Sequence, residues 1–242
     1  TYTATSSQGL LLMTEVLFNI AGLRLPVVIT CANRAISSPI NIWNDQQDSV
    51  TIRDAGWIQL YAETNQEVVD LHILAYKLAE SLMLPVMVNM DGFVLTHTFE
   101  QVEIPETSLI KKFLPDYVPP KDSILDVNNP RSLGTFAAPD RYMEIRQELF
   151  EDVAASDKEI IKQNSEFKKI FGRGIGNGLV EKYKTKDADI ILVAMGSVCG
   201  TIKAAIDDLR TKKKKAGLLK IITFRPFPDA EVIKILSRAK YI

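Results

Sequence analysis

The sequence predicts an α/β protein in which a parallel sheet carries helices on both faces and a second α/β domain follows. Over the first hundred residues, apolar β-branched runs typical of strands buried on both faces alternate with helical patterns. Strands separated by helices pair in parallel, with the helices lying on the faces of the sheet. The same alternation returns at Asp187, after a long proline-rich segment, and this return predicts the second domain.

Helical and strand patterns alternate along the first 92 residues. Apolar residues occupy nearly every helical position over residues 8–21, and Gly22 can end that helix. Thr64 and Glu67 have the spacing of a capping box, which predicts a second helix from there to Leu82. The predicted strands are residues 25–31, 57–62 and 85–90.

The middle of the chain has a different pattern. Residues 103–140 contain six prolines and almost no periodicity, which predicts an extended connector that packs on the domains it joins. Asp140 is expected to cap a long helix that ends near Lys169. One face of that helix carries Tyr142, Ile145, Leu149 and Val153.

The second α/β domain follows this helix. Its predicted strands are residues 190–195 and 218–223, with a helix between them and another from Asp229. The predicted division is therefore 1–104, 105–180 and 181–242. The chain starts at Thr1 without a methionine and stops at Ile242 where an apolar strand begins, so we expect a fragment cut at both ends.

Composition excludes several classes of protein. A formal net charge of −1 predicts neither a nucleic-acid nor a membrane-surface partner. There is no apolar run of about twenty residues and no signal peptide at the start, which predicts a cytoplasmic protein. Two cysteines without a C-x-x-C motif, and no H-E-x-x-H motif, predict no metal or cluster ligands in this chain.

The loop from Cys31 to Asp48 contains the sharpest chemical feature. In open parallel sheets, ligands bind beyond the carboxyl ends of the strands, where this loop lies. Arg34 follows the strand end and presents a planar fork of donors that matches a carboxylate. The residues alone leave two interpretations open: Arg34 binds a small carboxylate ligand, or it forms a structural ion pair with Asp45 or Asp48.

Other motifs point less clearly to chemistry. His97, beyond the third strand, could act as a general acid or base, but a lone histidine in a loop is more often structural. Residues 172–178 are rich in glycine, yet they lack the G-x-G-x-x-G spacing and follow a helix, which argues against a dinucleotide site. Gly196 and Ser197 lie at a strand-to-helix turn that could receive an anion.

Several segments carry a resemblance through their order and spacing. They are residues 1–10 (TYTATSSQGL), 33–45 (NRAISSPINIWND), 90–93 (MDGF) with His97, 178–184 (GLVEKYK), 188–200, and 225–227 (RPF). Together they resemble the alpha chains of pyruvate:ferredoxin oxidoreductases, within the 2-oxoacid:ferredoxin oxidoreductase family. The similarity runs through essentially the whole chain.

The resemblance implies a thiamine diphosphate-binding domain of the pyrimidine type, then a domain resembling the transketolase C-terminal domain. In that family, thiamine diphosphate attacks the 2-oxo carbon, CO₂ leaves, electrons pass through iron–sulfur clusters to ferredoxin, and coenzyme A takes the acyl group. This implies one subunit, inactive alone, of an enzyme that interconverts pyruvate and acetyl-CoA. The alternatives are another 2-oxoacid (2-oxoglutarate, a branched-chain oxoacid or oxalate), or a non-catalytic scaffold subunit.

The resemblance also assigns residues. Arg34 matches the family arginine that holds the substrate carboxylate. Residues expected to line the site are Thr3, Thr5, Ser6, Asn33, Asn41, Asp45 and His97. The glutamate that activates the aminopyrimidine is expected upstream of Thr1. The diphosphate–Mg²⁺ site and the cysteines of the 4Fe–4S clusters are expected elsewhere in the complex, in other domains or in beta, gamma and delta-type subunits.

Overall fold

A computed structural model describes residues 1–120 and 126–242, so part of the predicted connector, including Ile124 and Leu125, lies outside the described residues. The elements of the first half are β1 (Tyr2–Thr5), α1 (Gln8–Leu12), α2 (Thr14–Gly22), β2 (Val28–Asn33), α3 (Gln47–Thr51), β3 (Ile58–Tyr61), α4 (Asn65–Leu82), β4 (Val86–Asp91) and α5 (Val94–His97). Those of the second half are α6 (Thr107–Phe113), α7 (Pro139–Phe171), β5 (Val180–Tyr183), β6 (Ile190–Ala194), α8 (Val198–Thr211), β7 (Ala216–Ile221), β8 (Thr223–Arg225) and α9 (Asp229–Leu236).

The larger sheet has the strand order β1-β2-β4-β3-β8. Strands β1 to β4 run parallel, which confirms the predicted parallel α/β sheet, and β8 pairs antiparallel with β3. Thr5 lies opposite Cys31, and Asn33 lies opposite Asp91. The register therefore places the carboxyl ends of β1, β2 and β4 side by side at one edge of the sheet.

The smaller sheet has the order β5-β7-β6, with β6 parallel and β5 antiparallel to the central β7. Residues 218–223, predicted as one strand, belong to two sheets: β7 ends at Ile221, and β8 begins at Thr223 on the edge of the larger sheet. Strands β1 and β5 were not predicted. Most of their residues are polar and only partly covered, so they lack the apolar run that marks a buried strand.

For three helices, the ends predicted from local sequence signals can be compared with those in the structure. The cap of α4 is confirmed, since Glu67 N donates to Thr64 Oγ1 at 3.1 Å. The continuous helix predicted over residues 8–21 is interrupted at Met13, between α1 and α2. The predicted Asp140 cap is wrong: α7 starts at Pro139 without a side-chain cap, because proline at the first position already has a helical φ.

The connector is only partly extended. It contains α6, which the proline-rich pattern did not predict, and Phe113 of α6 is buried against Phe167 and Phe171 of α7. On α7, Leu149 and Val153 are buried as expected. Tyr142 and Ile145 are exposed, so the first turns of this helix present apolar side chains to solvent.

The helices offer no candidate for a membrane span. Within residues 1–120 and 126–242, none of them is both long enough and apolar enough to cross a bilayer.

Candidate functional site

Arg34 begins the loop that leaves the carboxyl end of β2. Its backbone forms a β-bridge with Asn44, so the loop folds back on itself and returns towards α3. The guanidinium Nε is buried and has no hydrogen-bond partner within the described part of the chain. No ion pair of Arg34 is found there either. The structure thus gives no support to pairing with Asp45 or Asp48, and it leaves a buried donor available to a ligand.

A small pocket of about 110 Å³ lies beside Arg34. It is lined by residues from the start of α1 and from the Arg34 loop, namely Gln8, Arg34, Ala35, Ser37, Ile40 and Asn41. The Gln8 amide donates a hydrogen bond to the Ser37 hydroxyl across the pocket. A cation, an amide and a hydroxyl in so small a space are suited to a small carboxylate.

Thr3, Thr5 and Ser6 lie along β1 and the turn that follows it. Thr3 is exposed and lies opposite Ile29 in the sheet. The Thr5 hydroxyl lies close to Gly9, where an added Cβ would come within 2.6 Å of Oγ1. The Ser6 carbonyl accepts from Gly9 N at 2.9 Å and so helps to start α1. The structure therefore places Thr5 and Ser6 next to the turn that carries Gln8 into the pocket.

The predicted loop residues Asn33, Asn41 and Asp45 occupy different environments. Asn33 is buried beneath the loop, and its amide donates to Asp48 Oδ1 at 2.9 Å and to Ser49 Oγ at 2.7 Å. Asn41 lines the pocket, and its Oδ1 accepts from Trp43 N. Asp45 accepts from Gln47 N at 2.6 Å within a turn. Only Asn41 of the three faces the Arg34 pocket.

His97 belongs to an exposed aromatic cluster. Its ring stacks on Phe93 with centroids 4.8 Å apart, and Phe93 contacts Trp43 at 5.5 Å. His97 Nδ1 lies 2.9 Å from the Thr96 hydroxyl. The cluster joins α5 to the Arg34 loop through Trp43, and His97 is not among the residues that line the pocket.

Sequence reasoning did not single out Asp91 as a functional residue. This buried carboxylate at the end of β4 accepts from Ser197 N at 3.0 Å, at the start of α8. Burial raises the pKa of Asp91 to about 6, although hydrogen bonds from Ser197 N and from the Asn44 side chain lower it. Gly196, with a φ of 78°, brings the backbone up to this carboxylate. The turn at Gly196 and Ser197, which could receive an anion, thus receives the carboxylate of Asp91.

This pKa shift predicts a pH-dependent stability. Since the ordinary pKa of Asp91 is 3.8, the folded chain holds the proton more tightly than the unfolded chain between about pH 4 and 6. We expect this residue to make the free energy of unfolding fall by roughly 2–3 kcal/mol as the pH rises across that window. Urea unfolding of Asp91→Asn should lack this contribution, whereas Asp116→Asn, at an exposed position, should retain it. Identical pH profiles for both variants would contradict the assignment.

A cluster of five charged side chains also escaped sequence reasoning. The carboxylates of Glu63, Glu67 and Glu181 lie close enough together to hold a metal ion. The ammonium group of Lys220 lies among them, at 2.6, 2.5 and 3.1 Å from Glu63, Glu67 and Glu181, and Lys203 contacts two of them. The lysine provides the charge compensation that a cation would otherwise supply.

Comparison with known proteins identifies the family. A family model described as pyruvate flavodoxin/ferredoxin oxidoreductase, thiamine diphosphate-binding, matches residues 1–165. A second, described as pyruvate:ferredoxin oxidoreductase core domain II, matches residues 188–242.

Individual relatives agree with these matches. Pyruvate synthase subunit PorA of Methanocaldococcus jannaschii is 52% identical, over 100% of this chain and 62% of that protein. Ketoisovalerate oxidoreductase subunit VorA of Pyrococcus horikoshii is 41% identical, over 100% of this chain and 61% of that protein. The chain thus spans less than two thirds of the length of these relatives.

A solved structure shares the fold. It is a 2-oxoglutarate:ferredoxin oxidoreductase from Magnetococcus marinus with 2-oxoglutarate, coenzyme A and succinyl-CoA bound, and it matches with a TM-score of 0.68 and 18% identity. The match covers 99% of this chain and 44% of that one. Since the first family model matches more than half of the sequence, the chain belongs to the pyruvate flavodoxin/ferredoxin oxidoreductase family, with the thiamine diphosphate-binding domain in its first 165 residues.

Proposed function

We propose that this chain is part of the alpha subunit of an enzyme that converts pyruvate and coenzyme A to acetyl-CoA and CO₂ with reduction of ferredoxin, or catalyses the reverse. The observation that carries the proposal is that the buried Nε of Arg34 has no hydrogen-bond partner among the described residues and lies beside a small pocket at the carboxyl ends of β1 and β2. A fixed guanidinium binds and orients a carboxylate without itself exchanging protons. Arg34 is therefore assigned to the carboxylate of the 2-oxoacid.

Pyruvate is preferred over larger 2-oxoacids because of the relatives that this chain resembles. The pyruvate synthase relative is 52% identical to this chain and the ketoisovalerate relative 41%. Turnover assays with pyruvate, 2-oxoglutarate, a branched-chain oxoacid and oxalate distinguish these substrates.

The residues fit a thiamine diphosphate site that is shared with other parts of the complex. The pocket beside Arg34 is small, and β1 is exposed at Tyr2, Thr3 and Ala4, which leaves these residues open to contact a cofactor or a partner subunit. Thr3, Thr5 and Ser6 are proposed to lie along the cofactor. When bound, thiamine diphosphate supplies the nucleophile that attacks the 2-oxo carbon. The part of this chain is to hold the acid in place.

The remaining assignments concern the whole complex. Mg²⁺ and the 4Fe–4S clusters are assigned to other domains or subunits of beta, gamma and delta type, and ferredoxin is the proposed electron acceptor in the cytoplasm. The proposed division of this chain is 1–104, 105–180 and 181–242. Asn41 is proposed to contact substrate, while Asn33, Asp45 and His97 support the loop around it.

Replacing Arg34 tests the proposal. In the enzyme assembled from full-length subunits, Arg34→Met should lower kcat/KM for pyruvate about a hundredfold or more, because the carboxylate loses its charged partner. Thiamine diphosphate should still bind. The matched control is Arg141→Met, at an exposed arginine in the first turn of α7, which should keep normal kinetics. Near-normal pyruvate kinetics of Arg34→Met would favour the scaffold alternative.

A further inference from the structure

Asp48 is a completely buried acid whose role the proposed function does not explain. It lies in the first turn of α3 with 0% of its surface exposed. One carboxylate oxygen, Oδ2, accepts from Ser7 N at 2.9 Å and from Arg34 N at 3.2 Å. The other, Oδ1, accepts from the Asn33 amide at 2.9 Å and from Ser49 N at 2.8 Å. A buried carboxylate is costly without donors, and this one has four N–H donors.

These hydrogen bonds join three segments that are distant in the sequence. Ser7 lies in the turn between β1 and α1, Arg34 follows β2, and Asp48 opens α3. The Arg34 loop is thus fixed at its start by its own backbone N–H and at its end by α3. The pocket lies between the first two segments, so its shape depends on how they are held together.

Ser7 provides a second connection between the turn that follows β1 and the Arg34 loop. It is buried, and its φ of 48° is uncommon for a residue other than glycine. Such a conformation persists only where the surrounding structure holds it. The Ser7 hydroxyl lies 2.7 Å from the Ala35 carbonyl oxygen, directly after Arg34. The turn and the loop are therefore connected both through Asp48 and through this hydroxyl.

It matters that Asp48 binds the backbone of Arg34 and not its guanidinium, because the guanidinium then keeps its charge for a ligand. Asp48 accepts from the backbone N–H of Arg34 and forms no ion pair with its guanidinium. An ion pair would occupy the donors and neutralise the charge that a substrate carboxylate needs. The observed arrangement fixes the position of the arginine and leaves its side chain available, with Nε unpartnered among the described residues.

We propose that Asp48 is the positioning residue of this site: its buried carboxylate joins the Ser7 turn to the Arg34 backbone and so sets where the guanidinium lies. This inference rests on the proposed function, in which Arg34 binds the carboxylate of pyruvate. Because Asp48 is 0% exposed, we assign it a role through Arg34, without direct contact to a ligand.

The sign of the effect on KM tests the inference. In Asp48→Asn an amide group faces two of the N–H donors, and we expect the KM for pyruvate to rise about tenfold in the assembled enzyme while kcat changes about threefold or less. If Asp48 acted only through its negative charge near Arg34, the same change would lower KM, because the arginine would attract the substrate anion more strongly. A lower or unchanged KM overturns the proposal.

A matched control separates positioning from general stability. Asp70 is also a buried aspartate, on α4, held by Arg173 at 2.9 and 3.0 Å, and it is not among the residues that line the Arg34 pocket. Asp70→Asn should lower the unfolding temperature yet leave KM within about twofold of the parent. A comparable rise in KM in Asp70→Asn would mean that the effect is general, and the proposal would be overturned.

A double-mutant cycle distinguishes failure of this inference from failure of the proposed function. If Asp48 acts through Arg34, Asp48→Asn should raise the pyruvate KM no further in an Arg34→Met background. Additive effects overturn the positioning role and leave the substrate role of Arg34 intact. An Arg34→Met enzyme with a normal KM overturns the proposed function itself.

A second variant decides the question if Asp48→Asn does not assemble. Ser7→Ala removes a hydroxyl that lies 2.7 Å from the Ala35 carbonyl oxygen and 2.6 Å from Gln8 Oε1, so it loosens the connection between the Ser7 turn and the Arg34 loop and leaves the Asp48 carboxylate in place. We expect the KM for pyruvate to rise about threefold, with a smaller loss of stability than in Asp48→Asn. An unchanged KM in Ser7→Ala, with Asp48→Asn unable to assemble, would overturn the proposal.

Discussion

Replacing Lys220 by methionine is expected to lower the free energy of unfolding by about 3–5 kcal/mol, as measured by urea unfolding of the chain. The Lys220 side chain is 0% exposed, and its ammonium group contacts three carboxylates within 3.1 Å. Burial alone would lower the pKa of Lys220, but attraction to Glu67 and hydrogen bonds to Glu63 and Glu67 outweigh it and raise the pKa. Without Lys220, the remaining lysine of the cluster is Lys203, which contacts two of the three carboxylates, those of Glu63 and Glu181.

Two comparisons make this prediction specific. Lys182→Met removes a lysine that is 46% exposed and pairs with Glu231, and it should cost less than about 1 kcal/mol. Adding Glu63→Gln and Glu67→Gln to Lys220→Met should restore part of the stability, since it removes the uncompensated charges. A loss below about 1 kcal/mol for Lys220→Met would contradict the importance of the cluster.

The second large effect is expected at Phe113: replacing it by alanine should lower the free energy of unfolding by about 3–5 kcal/mol. The ring is fully buried in an aromatic group with Phe167 and Phe171, with centroids 5.3 and 5.7 Å away. The Lys77 ammonium lies 4.1 Å from its centroid. Phe113 is the residue through which α6 of the connector is buried against α7, so its loss should release the connector.

Urea unfolding and hydrogen exchange together check this prediction. Phe113→Ala should lower the unfolding free energy and also speed amide exchange in residues 107–113 more than in the sheet strands. Phe99→Ala is the matched control, because the Phe99 ring is fully exposed and should contribute less than about 0.5 kcal/mol. Slow exchange in α6 of Phe113→Ala would show that other contacts hold the connector.

Local patterns succeeded where a residue's environment depends on its near neighbours. Apolar runs located β2, β3 and β4, and the capping box located the start of α4. Strand β1 was missed because it is a polar, exposed edge strand whose partner β2 lies over twenty residues further on. The boundary between β7 and β8 was missed because an apolar run indicates that a strand is buried and does not indicate which sheet the strand joins.

Some features of the candidate site were likewise predictable from local patterns, and others were not. Its place at the carboxyl end of β2, and Arg34 within it, were predictable from the strand pattern and the rule for ligands in open sheets. Whether Arg34 forms an ion pair with Asp48 was not predictable. It depends on where the Asp48 carboxylate points, and that carboxylate bonds to the backbone of Ser7 and Arg34.

The sequence alone was thus sufficient for the fold class, the family and the arginine at the first predicted strand end. Only the tertiary structure showed the hydrogen bonds to the Asp48 carboxylate, the hydrogen bond that Asp91 accepts from Ser197 N at the start of α8, and the Lys220 cluster. Asp48 and Ser7 are 41 positions apart, and Lys220 and Glu63 are 157 apart. Hydrogen bonds and ion pairs act over about 3 Å, so their partners are set by strand register and helix packing, which no local pattern records.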